Sequence, residues 1–207
     1  MGEDMEHLVL FVHLFGVGLL ITGVAFSIGG LVVAQRAVDV AGVRAAVGLA
    51  PYAERLIGPA QLLILGAGLY LVSQRDSSQG PVWTSSWLLA SYVIFGVMSI
   101  IGPGIESKRV AKLHEAVKEV PDGPIPAEID RMRRDPVLSH VAMFGGCQIA
   151  VFLYLMSNRP GTTDTLIATL AATAASLLLA RLTLRAPAAA PAAIPAQAGA
   201  ATESAAP

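Results

Sequence analysis

Charge is the scarcest property of this sequence. Of its 207 residues, 14% are Asp, Glu, Lys or Arg and 54% are hydrophobic, whereas a typical soluble domain carries about 25% charged residues. The charged residues are clumped, so long stretches contain none. This scarcity excludes an ordinary water-soluble domain, and the net charge of −1 gives no reason to expect nucleic-acid binding. The chain is therefore predicted to be all-α and to lie in a membrane.

Cysteine and recognisable catalytic motifs are lacking as well. Cys147 is the one cysteine in the sequence, so no internal disulfide can form. The sequence contains no glycine-rich phosphate loop, no paired zinc-ligand motif and no nucleophile elbow. These gaps exclude a disulfide scaffold and favour a protein that is not an enzyme, and no catalytic residue is predicted.

Five apolar runs are predicted to cross the bilayer, because a helix needs about 20 apolar residues to do so. None of them contains Asp, Glu or Lys, which argues against a proton- or ion-coupled pump. The acidic leader before the first run is unlike a signal peptide, so that run is predicted to stay in the chain. Whether the fifth, shorter run crosses completely is left open. The predicted spans form a four-helix core plus a C-terminal fifth helix, at about residues 8–34, 56–74, 84–105, 137–157 and 165–184.

The distribution of basic residues predicts the orientation. With the N-terminus outside, every Lys and Arg except Arg75 and Arg159 falls on the inner side. Basic residues near helix ends are retained in the cytoplasm, so the C-terminus is predicted to be cytoplasmic. Aromatic side chains that prefer the headgroup level fall at the predicted outer boundary, namely Tyr70, Trp83, Trp87 and Tyr154.

The largest polar segment, residues 106–135, is predicted to be a cytoplasmic amphipathic segment. Its apolar residues recur with helical spacing, which indicates a helix that either lies along the inner surface or continues the third span. A basic cluster near its end, Arg131, Arg133 and Arg134, is predicted to face anionic lipid headgroups. Together with the spans this segment forms a single membrane bundle over residues 1–185. The Ala/Pro-rich tail, residues 186–207, is predicted to be disordered.

Small residues at four-residue spacing predict where helices pack closely in lipid. They occur in the first, fourth and fifth spans, at Ala25, Gly29, Gly30 and Ala34, at Ala142, Gly146 and Ala150, and at Ala168, Ala172, Ser176 and Ala180. Gly58-Pro59 and Gly102-Pro103-Gly104 are predicted to kink or end the second and third spans.

Two sets of residues within the spans are candidate ligands. His13 lies in the first span, where a histidine is costly to place, so it is either a haem or metal ligand or a hydrogen-bonding group between helices. His140, Met143 and Cys147 share one face of the fourth span, and Met98 of the third span is predicted to lie at a similar depth. Imidazole and soft sulfur ligands suit Cu(I), although Met and Cys also pack as ordinary apolar residues.

Four short motifs stand out, namely His13-Leu14-Phe15-Gly16 with Gly23, Pro59 with Gly66-Ala67-Gly68-Leu69, Trp87-Leu88-Leu89, and Tyr154-Leu155-Met156 with Pro160. Together they resemble an uncharacterised family of bacterial predicted integral membrane proteins over about residues 5–160. That family is similar to the copper-resistance D membrane proteins and to the J-type protoporphyrinogen oxidase. The resemblance implies a bacterial plasma membrane protein and haem b bound at His13, which matches the first-helix histidine of the oxidase. The oxidase also uses a lysine in a later helix, and no span here contains one.

Three functions remain open from the sequence. The first is a non-enzymatic membrane or accessory protein of unknown role. The second is a haem-binding membrane redox protein that uses His13. The third is a copper or small-solute transport protein that uses the sulfur ligands. In each case the expected partners are membrane lipids and either a second copy of the chain or a membrane complex.

Overall fold

The computed structural model describes residues 2–79 and 82–185, and within them the chain is helical with no strand. Five of the helical segments are long and apolar enough to cross a membrane, which confirms the all-α, five-span prediction. The predicted disordered tail, 186–207, lies outside the described residues. The helices are α1 (Gly2–Arg36), α2 (Val40–Val47), α3 (Ala50–Gln79), α4 (Ser86–Ile101), a π-helix (Gly102–Glu106), α5 (Ser107–Lys118), α6 (Ala127–Arg133), α7 (Pro136–Asn158) and α8 (Thr162–Arg185).

The bundle is built from two closely packed helix pairs, α1 with α3 and α7 with α8, which meet where α1 contacts α7. On α1, Gly16, Gly23 and Gly30 recur every seven residues. The first two face α3, and Gly30 faces α2. A Cβ atom on Gly23 would lie 2.7 Å from Cγ1 of Ile57. Because these glycines carry no side chain, the backbones approach closely, and the seven-residue period suits a left-handed crossing.

Five of the eleven small residues predicted at helix contacts are buried. The buried ones are Gly30, Ala34, Ala142, Ser176 and Ala180. Gly146 also lies in a contact, since a Cβ atom there would lie 2.6 Å from Cδ1 of Ile28 on α1. Ala25 and Ala150 are exposed on the surface of the bundle, and nothing lies within 4 Å of a Cβ placed on Gly29. Seven-residue spacing, and not the four-residue spacing, therefore marks the closest contact of α1.

The end of the bundle that holds most Lys and Arg, here called the basic end, is closed by a cap made of α2, α5 and α6. Its apolar core joins α1 to all three cap helices through Ala34, Val43, Leu113, Val117 and Ile129. Of the two alternatives for the amphipathic segment, the structure shows that α5 continues the third span through the π-helix. Helix α2 was not predicted from the sequence; its N-cap Asp39 accepts a hydrogen bond from the Gly42 N–H at 2.7 Å.

Arg133 of α6 lies inside this cap, so the prediction that it faces lipid headgroups is wrong. Its side chain is 4% exposed, and its Nη1 donates to the carbonyls of Ala34 at 2.7 Å, Gln35 at 3.1 Å and Ala37 at 2.9 Å. Its Nη2 pairs with the Asp130 carboxylate at 2.6 Å. The last carbonyls of a helix lack hydrogen-bond donors within the helix. At the end of α1, the Arg133 guanidinium is the donor to these carbonyls.

Arg44 of α2 holds the end of α5 in a similar way. It donates to the carbonyl of Val120 at 2.6 Å and pairs with Asp122 at 2.6 Å. The following Gly123 has a φ of 154°, a region that favours glycine, and its carbonyl accepts a hydrogen bond from the Val40 N–H at 3.0 Å. The turn after α5 is thus attached directly to the start of α2.

At the opposite end of the bundle, α4 and α7 share an apolar cluster. Trp87 is 9% exposed within this cluster and packs against other helices, and its place at the headgroup level stays a prediction. Trp83 stacks with Tyr92 at 6.5 Å between ring centroids. Tyr70 and Tyr154 are exposed, as expected for residues at the headgroup level.

Candidate functional site

A cavity of about 390 Å³ lies between α1, α3, α7 and the junction of α4 with α5. Most of its wall is apolar, with Leu20, Val24, Ile57, Met98 and Phe144 among the lining residues. The polar side chains in the wall are Ser27, Glu54, Gln61, Glu106 and Ser107. The cavity is therefore amphipathic, a form common to sites that bind small molecules.

Helix length places three polar side chains of the cavity near one boundary of the hydrocarbon layer. Ser27, Glu54 and Glu106 each lie about 20 residues along their helices from the polar residues at the opposite end. About 20 residues of helix cross the hydrocarbon layer, so these three side chains lie at its boundary on the basic end. From there the apolar part of the cavity extends towards the middle of the bundle.

The π-helix aims Glu106 at this cavity. Pro103 has no N–H to donate, and the Ser107 N–H bonds to the Gly102 carbonyl, five residues back. The wider turn rotates every later residue relative to a regular α-helix. The Gly102-Pro103-Gly104 sequence stays helical, so of the two predicted alternatives the ending of the third helix is wrong. The wide turn changes which face of the helix follows it.

Glu106 accepts a hydrogen bond at 2.5 Å from the hydroxyl of Ser27 on α1. Glu54 of α3 lies near enough for the two carboxylates to repel each other. The described residues that line the cavity include no Lys, Arg or His. The wall thus holds two acidic side chains and no basic side chain that could pair with them.

The side of the cavity between α3 and α4 is loosely closed. Within the described part of the chain, α3 and α4 make few contacts with each other and pack mainly on α1 and α7, respectively. A hydrogen bond from Gln61 of α3 to Ser99 of α4, at 3.4 Å, bridges the two helices. Gly58, beside Pro59, and Gly102, beside Pro103, both line the cavity. The two predicted helix-weakening sites therefore lie on facing walls of the same space, although α3 stays helical through Pro59.

His13 lies in the contact between α1 and α3. Its Nδ1 is 3.1 Å from the carbonyl of Ile64, and because a carbonyl only accepts, Nδ1 carries the proton. A Cβ atom placed on Gly68 would lie 3.2 Å from Cε1 of His13, so the ring packs tightly against α3. Neither His13 nor Ile64 lines the 390 Å³ cavity. This arrangement matches the hydrogen-bonding alternative, and haem binding at His13 stays a prediction.

The predicted copper ligands do not surround the cavity together. Nδ1 of His140 bonds to the carbonyl of Pro136 within α7 at 2.6 Å, and Met143 is 7% exposed. Met98 lies on the Gly145 side of α7, 3.8 Å from where a Cβ on that glycine would be. Gly145 is about 140° around the helix from His140, so Met98 approaches a different face.

Cys147, the remaining predicted copper ligand, is partly buried and unpaired with another cysteine. No group of three or more His, Cys, Asp or Glu side chains converges within residues 2–79 and 82–185. Cu(I) binding by methionine and cysteine sulfur is not tested by that observation, and it stays a prediction.

No sequence motif singles out Ser27, Glu54 or Glu106. In the sequence, Glu106 opens the amphipathic segment after the third span, and Glu54 lies in the connection before the second. The available signal was the pair of Gly-Pro sequences, because such interruptions are tolerated in a membrane where the backbone lines a cavity. The π-turn that aims Glu106 at α1 has no comparable signature.

A comparison with protein families places this chain. The sequence model of the family described as "Predicted integral membrane protein (DUF2269)" matches residues 7–160. The chain belongs to this family. The matched region agrees closely with the resemblance found in the sequence, and it includes the cavity but ends before α8. No curated protein and no solved structure matches the chain. The similarity to copper-resistance D proteins and to the oxidase therefore stays a prediction.

Proposed function

We propose that this integral membrane protein of unknown role binds a small amphipathic molecule in the 390 Å³ cavity without transforming it. The observation that carries the proposal is the distribution of polarity, with charged groups at the basic end and apolar walls beyond them. The volume lies within the range of about 300–1,000 Å³ that is usual for small-molecule sites. The loose contact between α3 and α4 supplies a route for a ligand from the lipid.

A photolabelling experiment tests this proposal. The full chain, held in lipid nanodiscs, is labelled with an aliphatic alcohol that bears a diazirine, and the labelled peptides are identified by mass spectrometry. Labels are expected on the parts of α3 and α4 that face the cavity. The variant Gly145→Leu is expected to reduce this labelling about tenfold, because Gly145 lines the cavity and a Cβ there makes only an ordinary contact with Met98.

Ala150→Leu is the matched control, because it adds a side chain to the exposed face of the same helix. It should leave cavity labelling unchanged. A second filling variant, Val24→Phe on α1, covers the case in which Gly145→Leu fails to fold. Labelling of the cavity peptides that is equal in wild type and in both filling variants would refute the proposal.

We further propose that the protein lies in the plasma membrane of a bacterium, with the basic end in the cytoplasm. The cap of α2, α5 and α6 at the basic end supports this orientation, because Lys and Arg near helix ends are retained on the cytoplasmic side. Reporter fusions test it. An alkaline phosphatase fused before Gly2 should be active outside, and a fluorescent protein fused after Arg185 should fluoresce inside. The reverse result would overturn the orientation.

A further inference from the structure

We infer that the molecule held in the cavity is an amphipathic amine, with its ammonium group paired to Glu106 and its apolar tail along the wall of Val24 and Phe144. This inference rests on the proposed function and adds the charge of the ligand to it. It follows from the partners of Glu106, the position of nearby cations and the direction in which the cavity extends.

Glu106 has too few partners for a carboxylate in its position. Among the described residues it accepts one hydrogen bond, from the neutral hydroxyl of Ser27 to Oε1, and it forms no ion pair. A carboxylate offers about four acceptor positions on two oxygens. Removing such a charge from water is costly unless a donor or cation replaces the lost water. An ammonium on the ligand would supply both a charge and several N–H donors.

The cations near Glu106 in the chain do not balance it. Lys108, two residues after Glu106, is exposed and does not line the cavity. Arg109, three residues after Glu106, pairs with Asp135 at the start of α7. Arg55, next to Glu54, lies over the ring of Tyr52, 5.8 Å from its centroid. Neither arginine lines the cavity, so the protein leaves the position opposite Glu106 to a cation from outside.

The direction of the cavity fits the shape of an amine with a tail. Glu106 and Ser27 lie at the hydrocarbon boundary, whereas Leu20 on α1 lies about two turns further towards the middle of the bundle. A ligand with its ammonium at Glu106 would therefore extend its tail in the same direction as a lipid of that leaflet. The shared chemistry, an ammonium bearing an apolar tail, is found both in free aliphatic amines and in phosphatidylethanolamine.

The test compares two probes that carry the same diazirine tail, one ending in a primary amine and one in an alcohol. The full chain is placed in phosphatidylglycerol nanodiscs, and labelling of cavity peptides is divided by labelling of the α8 peptides that face lipid. The amine is expected to label the cavity at least about tenfold more than the alcohol, as a charge-assisted hydrogen bond predicts. Glu106→Gln should remove this advantage, because the amide still accepts from Ser27 but carries no charge.

Glu119→Gln is the charge-matched control, because Glu119 is exposed in the connection after α5 and does not line the cavity. It should keep the amine preference. Adding phosphatidylethanolamine identifies the source: competition with the amine probe supports the inference with a lipid headgroup as ligand, and no competition supports it with a free amine. Equal labelling by amine and alcohol, or an amine preference that survives Glu106→Gln, overturns the inference. In those cases an alcohol signal that still falls in Gly145→Leu leaves the proposed function intact.

Discussion

Replacing Arg133 with alanine should destabilise this protein more than replacing any of its exposed arginines. The side chain is 4% exposed and serves three carbonyls at the end of α1 as well as the Asp130 carboxylate. An acceptor left buried without a partner costs about 1–3 kcal/mol. Asp130 is 44% exposed and regains water, so the loss comes mainly from the carbonyls. We expect a fall of about 3 kcal/mol in the free energy of unfolding.

The neighbouring Arg134 provides the control. It contacts the same Asp130 carboxylate at 3.2 Å, but its side chain is 30% exposed and it bonds to none of the three α1 carbonyls. Arg134→Ala should therefore cost at most about 1 kcal/mol. Arg133→Lys should fall between the two, because an ammonium is a point donor that cannot reproduce the planar fork of a guanidinium.

The measurement is reversible unfolding in mixed micelles, in which sodium dodecyl sulfate is added to a mild detergent and helicity is followed by circular dichroism. If Arg133→Ala lost no more stability than Arg134→Ala, the capping role of Arg133 would be refuted. A change confined to hydrogen exchange of α6, with unfolding of the bundle unaltered, would also contradict it, because the cap would then be independent of α1.

Three further outcomes follow from single contacts. Gly30→Ala should destabilise the bundle by about 1–3 kcal/mol, because its Cβ would lie 2.9 Å from the Ala46 carbonyl oxygen. Gly29→Ala should be neutral or stabilising, because nothing lies within 4 Å of a Cβ placed there. Equal effects of the two variants in the same detergent titration would contradict the close approach of α1. His13→Ala should cost roughly 0.6 kcal/mol, as typical hydrogen bonds between membrane helices do, and a Soret absorption band lost with this variant would instead support haem binding. Asp39→Ala should cost about 1 kcal/mol through loss of the α2 N-cap, and hydrogen exchange in α2 should rise; unchanged exchange would count against the cap.

The spans could be predicted because lipid imposes a simple condition on sequence. Runs without charge had to be about as long as the hydrocarbon layer is thick, and five such runs were present. Family membership followed from short motifs in the same runs. Features set by one helix alone were therefore accessible from the sequence.

Features set by contacts between distant segments were not accessible. Arg133 is one of several basic residues in its segment, and only the position of the α1 end distinguishes it from Arg131 and Arg134. Helix α2 had a local signal in Asp39 followed by Val40, Val43 and Val47, but eight residues are too few to stand out between two long spans. The direction of Glu106 depends on one wide turn, which adds a rotation that periodicity cannot reveal.

The two prolines beside the cavity have a mechanical consequence. Pro59 of α3 follows the cavity-lining Gly58, and Pro103 lines the cavity itself; each lacks an N–H and so removes one backbone hydrogen bond from its helix. Bending a helix at a missing hydrogen bond costs less free energy than bending it elsewhere in α3 or α4. The inner segments of both helices can consequently tilt apart as rigid units. The width of the opening between them can then change while the remaining turns keep their backbone hydrogen bonds.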